Sequence, residues 1–223
     1  MSDNLSNRLK AAASLVRGGG ILADIGTDHG YVPVYLVKNG IVKSAIAADI
    51  NKMPLENAAK AVRESGLCDK IQLRLSDGLK NLKEGEADEF FIAGMGGTLI
   101  SEILSSSIWV KNSAYHFVFQ PQSRAEELRE YLFNNGFEIE RETAVLEGRR
   151  YYIAFSAVFT GKNTPHCYAD CFLGKLPKTP EAKKYISLQI NRLEKKYNAL
   201  SSGEEKERLF ITLEKLKSFS SED

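Results

Sequence analysis

An acidic turn is the segment of this sequence best suited to chemistry. Asp24 and Asp28 flank a single glycine, Gly26, between a short apolar run and a helix-like stretch. A turn that receives a pyrophosphate offers bare backbone N–H groups at a helix N-terminus, because a negative ligand must meet donors. The two carboxylates would repel such a ligand, but by Coulomb's law they suit the sulfonium and ammonium groups of S-adenosylmethionine. The turn therefore favours a methyl donor over a dinucleotide.

Polar or glycine residues also follow the next three strand-like runs. Asp49 ends the second run, about 20 residues beyond the turn, where a carboxylate can accept both hydroxyls of a ribose. The third run ends at residues 76–78, Ser-Asp-Gly, and the fourth at residues 93–97, Ala-Gly-Met-Gly-Gly. Ligands of open α/β sheets bind at the carboxyl ends of the strands, so these ends together predict one binding edge.

The glycines around Met95 indicate a flexible, close-packed rim beside the presumed methyl group. The chain lacks the Asn-Pro-Pro-Tyr-like motif with which many amino-methylating enzymes hold an exocyclic amine. The sequence therefore favours a nucleophile that needs little deprotonation, such as a ring nitrogen with a free lone pair.

Strand-like and helix-like patterns alternate between residues 20 and 160, which is typical of parallel strands joined by crossover helices. We predict strands at 20–26, 44–50, 71–76, 88–94 and 115–120, and helices at 30–39, 54–65, 97–106 and 123–135. Two extended runs, 137–147 and 149–160, are separated by Gly148 alone and so predict a hairpin. The predicted fold class is α/β, with a mostly parallel sheet that ends in an antiparallel hairpin.

Apolar residues recur at helical spacing beyond Gly161, on either side of a loop at 201–203. The two stripes are Ile186, Ile190, Leu193, Tyr197 and Leu200, and then Leu209, Leu213, Leu216 and Phe219. They predict two antiparallel helices. We expect a ligand-binding domain at 1–161, a small coiled-coil-like helical domain at 162–223, and a monomer or weak dimer.

The overall charge excludes little, because 30 Lys and Arg residues face 29 Asp and Glu residues. Between residues 162 and 196, however, eight basic residues face three acidic ones. Such a field can steer a nucleic acid, but it is equally typical of the solvated faces of a helix pair.

An odd cysteine count and the lack of a secretory leader predict a cytoplasmic protein without disulfides. No stretch approaches the roughly 18 uncharged residues that would span a bilayer, so we expect no membrane partner. His166, Cys167 and Cys171 lack the second cysteine pair of a zinc site, and we expect no metal.

Several segments, taken as a set, resemble the TrmK family of bacterial tRNA (adenine-N1)-methyltransferases. They are residues 24–31, 48–55, 76–79, 94–97, 120–121 and 128–129, in order within residues 5–160. The resemblance implies a class I, Rossmann-like fold that binds S-adenosylmethionine, with a helical C-terminal domain. It also implies methylation of tRNA at N1 of adenine 22, in the D-arm region.

The resemblance also implies site residues. Around the cofactor it places Asp24, Gly26, Thr27, Asp28, His29, Asp49, Ile50, Asn51, Ser76, Asp77, Gly78, Gly94 and Met95. It places Arg8, Gln120 and Pro121 toward the incoming base or its phosphates. Tyr31 or Phe119 is a candidate to stack on that base, although such residues are more often core aromatics.

For such a reaction we expect the lone pair of N1 to attack the methyl group in line. N1 becomes cationic on methylation, so a carboxylate that stabilises positive charge helps more than a general base, and Asp28 is the catalytic candidate. Two alternatives remain: a nucleotide-dependent oxidoreductase with an atypical turn, and a non-catalytic RNA-binding or scaffold protein that keeps the fold.

Overall fold

Seven strands form one sheet in the computed structural model, which describes residues 5–221. They are β1 (Ile21–Ile25), β2 (Ser44–Asp49), β3 (Ile71–Leu75), β4 (Glu89–Ala93), β5 (His116–Gln120), β6 (Phe137–Glu147) and β7 (Arg150–Phe159). Their order is β3-β2-β1-β4-β5-β7-β6. Strands β1 to β5 are parallel, and β7 runs antiparallel to both β5 and β6. The expected mostly parallel sheet with a terminal hairpin is confirmed.

Eight α-helices surround the sheet in residues 5–221. They are α1 (Asn7–Ala13), α2 (Tyr31–Lys38), α3 (Lys52–Glu64), α4 (Gly97–Ser105), α5 (Ala125–Asn134), α6 (Tyr168–Leu173), α7 (Pro180–Ala199) and α8 (Glu204–Ser221). The six predicted helices are confirmed, whereas α1, α6 and a 3₁₀ turn at Ile108–Val110 were not predicted. None of the helices in the described range is long and apolar enough to cross a lipid bilayer.

The sheet is buried on both faces, which explains the near-continuous apolar runs of its parallel strands. Successive side chains of a strand lie on opposite faces, so neighbours such as Phe90 and Phe91 enter different clusters. Phe91 packs among residues of α1, α2 and α3 on the first face. Phe90 packs on the second face, in a cluster that reaches α4, α5, α7 and α8.

The C-terminal helices α7 and α8 pack against each other and against the second face of the sheet. Ile186 of α7 and Leu213 of α8 lie in the same buried cluster as Phe117 of β5. The predicted pair of helices is confirmed. The coiled-coil assignment and the division into two domains at residue 161 stay predictions. The predicted domains include residues 1–4 and 222–223, which lie outside the described range.

A buried ion pair joins α5, β6 and α6. Arg129 donates from Nε and Nη2 to the two carboxylate oxygens of Glu142, at 3.0 and 2.8 Å, and both side chains are fully buried. Its Nη1 donates to the backbone carbonyls of Cys171 and Phe172, at 2.9 and 3.1 Å. A Cβ at Gly174 would lie 2.3 Å from the Glu142 carboxylate, so only glycine fits at this position. The guanidinium therefore holds the start of the helical tail against the sheet.

We expect Arg129→Ala to lower the free energy of unfolding by about 3–5 kcal/mol, because it leaves the Glu142 carboxylate buried without a partner. Urea denaturation measures this loss. The matched control is Lys60→Ala, which removes an exposed ion pair with Glu64 and should have a much smaller effect. Equal losses in the two variants would contradict a structural role for the buried pair.

Candidate active site

A cavity of about 480 Å³ opens at the carboxyl ends of β1, β2 and β4. Strand order reverses between β1 and β4, and open α/β sheets bind their ligands at such a switch point. The volume falls within the usual range for small-molecule sites, about 300–1,000 Å³. The lining residues are Ser6, Arg8, Leu9, Asp24, Gly26, Asp28, Tyr31, Val32, Asp49, Phe91, Ala93, Gly94, Met95 and Gln122.

The carboxyl group of Asp24, on β1, lies at the floor of the cavity and is only 5% exposed. Its pKa is raised from 3.8 to about 7, mainly by burial; the Thr27 hydroxyl lowers the pKa and nearby Asp49 raises it. The sequence predicts a negative charge at Asp24, whereas the raised pKa means that burial favours the neutral carboxyl. Its full charge develops only when a positive group lies beside it.

Asp49 ends β2 beside the cavity with its carboxylate already oriented. The backbone N–H of Asn51 donates to Asp49 Oδ1 at 2.7 Å. The neighbouring Ile50 is 58% exposed and presents an apolar side chain beside this carboxylate. The pair offers an oriented acceptor next to an apolar surface, which fits a ribose and its attached ring.

The turn after β1 is closely packed at its glycine. Gly26 has a φ of +77°, and a Cβ there would lie 2.1 Å from Met95 Cε. Its N–H and that of Thr27 donate to the Ala48 carbonyl at 2.8 and 2.9 Å, which fixes the turn to β2. The positive φ favours glycine at this position, because residues with a side chain rarely adopt it.

Three side chains meet at the mouth of the cavity. His29 Nε2 lies 3.3 Å from Asp28 Oδ1, and the His29 ring stacks on Tyr31 with centroids 5.2 Å apart and planes 9° from parallel. The stack arises because His29 has a φ of +60°, a left-handed conformation that sequence patterns do not reveal. The expected stacking surface of Tyr31 is thus shared with a neighbouring ring.

The glycine rim is tied down by the chain that follows β5. Three backbone hydrogen bonds of 2.8–3.1 Å join residues 94–97 to residues 120–123. A Cβ at Gly97 would lie 2.1 Å from the backbone oxygen of Arg124. Sequence reasoning expected a flexible rim, whereas these bonds and this close approach hold it in place.

Arg8 reaches the cavity from α1 and is held on several sides. Its Nη1 donates to Gln120 Oε1 at 2.7 Å, its Nε lies 3.3 Å from Glu147, and its guanidinium sits 6.0 Å from the centre of the Tyr152 ring. Gln120 is fully buried, and its Nε2 donates to the carbonyl of Pro121 at 3.1 Å. Arg8 therefore lines the cavity, whereas Gln120 and Pro121 lie behind the lining.

The predicted residues after β3 sit at the same edge of the sheet but outside the cavity lining. Ser76 is buried, and its hydroxyl donates to the Gly78 carbonyl at 2.8 Å. Asp77 pairs with Lys80 at 2.6 Å. Thr27, His29, Ile50 and Asn51 also adjoin lining residues without lining the cavity themselves. Their predicted contacts with a cofactor stay predictions.

Five lining residues were not predicted from the sequence: Ser6, Leu9, Val32, Phe91 and Gln122. Ser6 and Leu9 flank Arg8, but α1 has seven residues and no side-chain cap, so its pattern was too short to detect. Gln122 stands two residues beyond the end of β5, and the rule of strand carboxyl ends would have found it.

In residues 5–221 no group of three or more His, Cys, Asp or Glu side chains is placed to hold a metal ion. His166 Nδ1 contacts the carbonyl of Thr164 at 2.8 Å. The Cys167 thiol lies 3.0 Å from Lys215 Nζ, and Cys171 is buried.

Known proteins share both the sequence and the fold. Residues 5–155 match a family model described as a methyltransferase domain. A tRNA (adenine(22)-N(1))-methyltransferase of Bacillus subtilis is 38% identical over 148 residues, which are 66% of this chain and 62% of that protein. The match thus spans less than two thirds of that relative.

Two solved structures match over nearly the whole chain. Streptococcus pneumoniae Sp1610, a putative tRNA (m1A22) methyltransferase solved with S-adenosyl-L-methionine, gives a TM-score of 0.83 at 32% identity and covers 97% of this chain and 99% of its own. The B. subtilis m1A22 tRNA methyltransferase TrmK gives a TM-score of 0.81 at 28% identity, covering 99% and 100%.

We expect Asp24→Asn to change how stability depends on pH. The folded protein holds the Asp24 proton up to about pH 7, whereas the unfolded chain loses it near pH 4, so the wild type loses stability as pH rises between these values. The variant lacks this loss. The free energy of unfolding of the wild type, minus that of the variant, should therefore fall as the pH rises from 4.5 to 7. Urea denaturation should show a slope of up to about 1.4 kcal/mol per pH unit. A difference that stays constant with pH would contradict the raised pKa.

Proposed function

This chain belongs to the TrmK family of methyltransferases, and on that premise we propose that it methylates N1 of adenine 22 in tRNA with S-adenosylmethionine. The observation that carries the proposal is the cavity at the sheet switch point, which combines the carboxyl groups of Asp24 and Asp49 with the glycine turn at Gly26. A relative with this fold was solved with the same cofactor.

The residues at the cavity fit the polar groups of S-adenosylmethionine, which supplies an electrophilic methyl group on a sulfonium. Asp24 would accept from the ammonium group, since a neighbouring cation restores the charge that burial suppresses. Asp49 would accept from the ribose hydroxyls. The remaining proposed cofactor residues are Thr27, Asp28, His29, Ile50, Asn51, Ser76, Asp77, Gly78, Gly94 and Met95.

In the proposed mechanism the protein mainly orients the reactants. N1 of adenine carries a free lone pair at neutral pH, so no side chain has to remove a proton before attack. Holding the reacting atoms in line at about 3–3.5 Å can lower the barrier by about 7–11 kcal/mol. Asp28, exposed at the mouth beside His29, would stabilise the positive charge that develops on the ring.

The tRNA has to expose the target base, because N1 lies on the Watson–Crick edge. Opening a pair or stack costs a few kcal/mol. Arg8 is held at the cavity by Gln120 and Glu147, and Tyr31 lies at the mouth with 37% exposure. We assign both to the incoming nucleotide. Action in the cytoplasm, as a monomer or weak dimer, is part of the proposal.

Transfer of tritiated methyl groups to unmodified tRNA tests the proposed function. We expect methyl incorporation into the wild-type tRNA, and mass spectrometry should locate the modified nucleotide at adenine 22. A tRNA with guanine at that position should show no incorporation. A folded protein that binds tRNA and S-adenosylhomocysteine without methyl incorporation would instead be a non-catalytic RNA-binding protein.

We expect Asp28→Asn to lower the turnover number by about 10- to 100-fold, because the variant loses the charge that stabilises the methylated ring. The affinity for S-adenosylhomocysteine, measured by calorimetry, should change much less. Asp69→Asn is the matched control, since Asp69 is an exposed acid in the loop after α3, and it should leave both quantities unchanged. Wild-type turnover in Asp28→Asn would remove Asp28 from the mechanism.

A further inference from the structure

A second cavity, of about 380 Å³, adjoins the first one. It lies between the chain after β5, the first turn of α5, the start of β7 and the middle of α7. Gln122 lines both cavities and so forms a shared wall. A ligand that fills the first cavity therefore has the second one next to it.

Three tyrosines line the second cavity: Tyr151 and Tyr152 at the start of β7, and Tyr185 on α7. The guanidinium of Arg8, which lines the first cavity, lies 6.0 Å from the centre of the Tyr152 ring. Tyr151 lies on the opposite face of the strand, the face that Ile153 shares with the helical tail. Such rings give flat, sequence-tolerant surfaces on which nucleic acid bases stack.

Hydrogen-bonding groups accompany the rings. Gln122 and Gln189 line the cavity, and a side-chain amide can pair with the donor and acceptor edge of a base. Burial raises the pKa of Tyr185 to about 12, so its hydroxyl remains a neutral donor. The set is suited to an uncharged planar ligand with polar edges.

The charges around the cavity permit an anionic polymer. The carboxylate of Glu126 is paired with Arg192 at 2.7 Å, and that of Glu127 is paired with Arg124. Arg124 lines the cavity and keeps an exposed side chain. Arg124 has a φ of +52°, and its backbone packs closely against Gly97. This packing fixes the backbone that carries the guanidinium beside the opening.

We propose that the second cavity binds the base of the tRNA nucleotide adjacent to the target adenine. The inference rests on the proposed function, because the target adenine has to reach the mouth of the first cavity, beside the cofactor. Consecutive nucleotides are covalently linked, and the shared wall at Gln122 places the neighbour of the target at the tyrosines. Proteins bind unstacked RNA bases in this way, by aromatic stacking and by hydrogen bonds to base edges.

The first experiment measures the dissociation constant of unmodified tRNA for Tyr151→Ala, with Tyr151→Phe and Tyr131→Ala as controls. Tyr131 is a half-buried tyrosine on the part of α5 away from the cavity. We expect about a tenfold weaker affinity for Tyr151→Ala, the cost of one lost stack, and affinities near wild type for both controls. Binding of S-adenosylhomocysteine should be unchanged in all three. Wild-type tRNA affinity in Tyr151→Ala, or an equal loss in Tyr131→Ala, would overturn the proposal.

The second experiment removes the base instead of the ring. The probe is the same tRNA with an abasic residue immediately 5′ or 3′ of the target adenine. One of the two probes should bind wild type about tenfold more weakly, and Tyr151→Ala should lose nothing further with that probe. The proposal is wrong if both probes bind wild type as tightly as intact tRNA does. It is also wrong if the loss of affinity from Tyr151→Ala and the loss from the abasic residue multiply when the two changes are combined. Should Tyr151→Ala fail to fold, Gln189→Ala takes its place in the same cycle, with a loss of about threefold for its hydrogen bond.

These readouts separate the proposal from the proposed function. Absence of methyl incorporation by wild type rejects the function, whichever result the binding cycle gives. Incorporation by wild type without coupling between Tyr151 and a flanking base rejects the second site alone.

Discussion

The crossing of two chain segments just beyond β4 and β5 determines the shape of the ligand-binding edge. Residues 94–97 and residues 120–123 run side by side and are joined by backbone hydrogen bonds, and Gly97 allows the close approach to Arg124. One side of this crossing closes the first cavity at Gly94 and Met95. The other side, from Gln122 to Arg124, forms the wall of the second cavity. Because backbone atoms make the crossing, its geometry does not depend on the rotamers of the surrounding side chains.

Electrostatic properties of the first cavity depend on burial as much as on residue type. Asp24 is nearly inaccessible, and its raised pKa means that the site carries less negative charge alone than its composition suggests. A cationic group that enters next to Asp24 would displace the proton and meet a full carboxylate in a surrounding of low polarity, where the attraction is stronger than in water. Asp28, at the open mouth, has no comparable burial. The two acids of one turn are thus suited to different tasks.

Much of the fold followed from the sequence because its signals are local. Strands β1 to β5 are short apolar runs between glycines and helical patterns, and the single residue between the predicted runs 137–147 and 149–160 permitted only a hairpin. The carboxyl-end rule located Asp24, Asp49 and Met95 at one edge. Interactions between distant segments could not be predicted from the sequence. The ion pair of Arg129 with Glu142 and the hydrogen bond from Arg8 to Gln120 join residues that no periodicity relates. The titration of Asp24 depends on burial that only the packed structure defines.

The contacts of Arg129 with the helical tail bear on how such chains can diverge. Its guanidinium donates hydrogen bonds to the backbone carbonyls of Cys171 and Phe172, and every residue type has a backbone carbonyl. Substitutions at these two positions thus leave the hydrogen-bonding partners intact, provided that a glycine remains at 174 to clear the ion pair. A junction built on main-chain atoms tolerates drift in the tail sequence while its attachment persists.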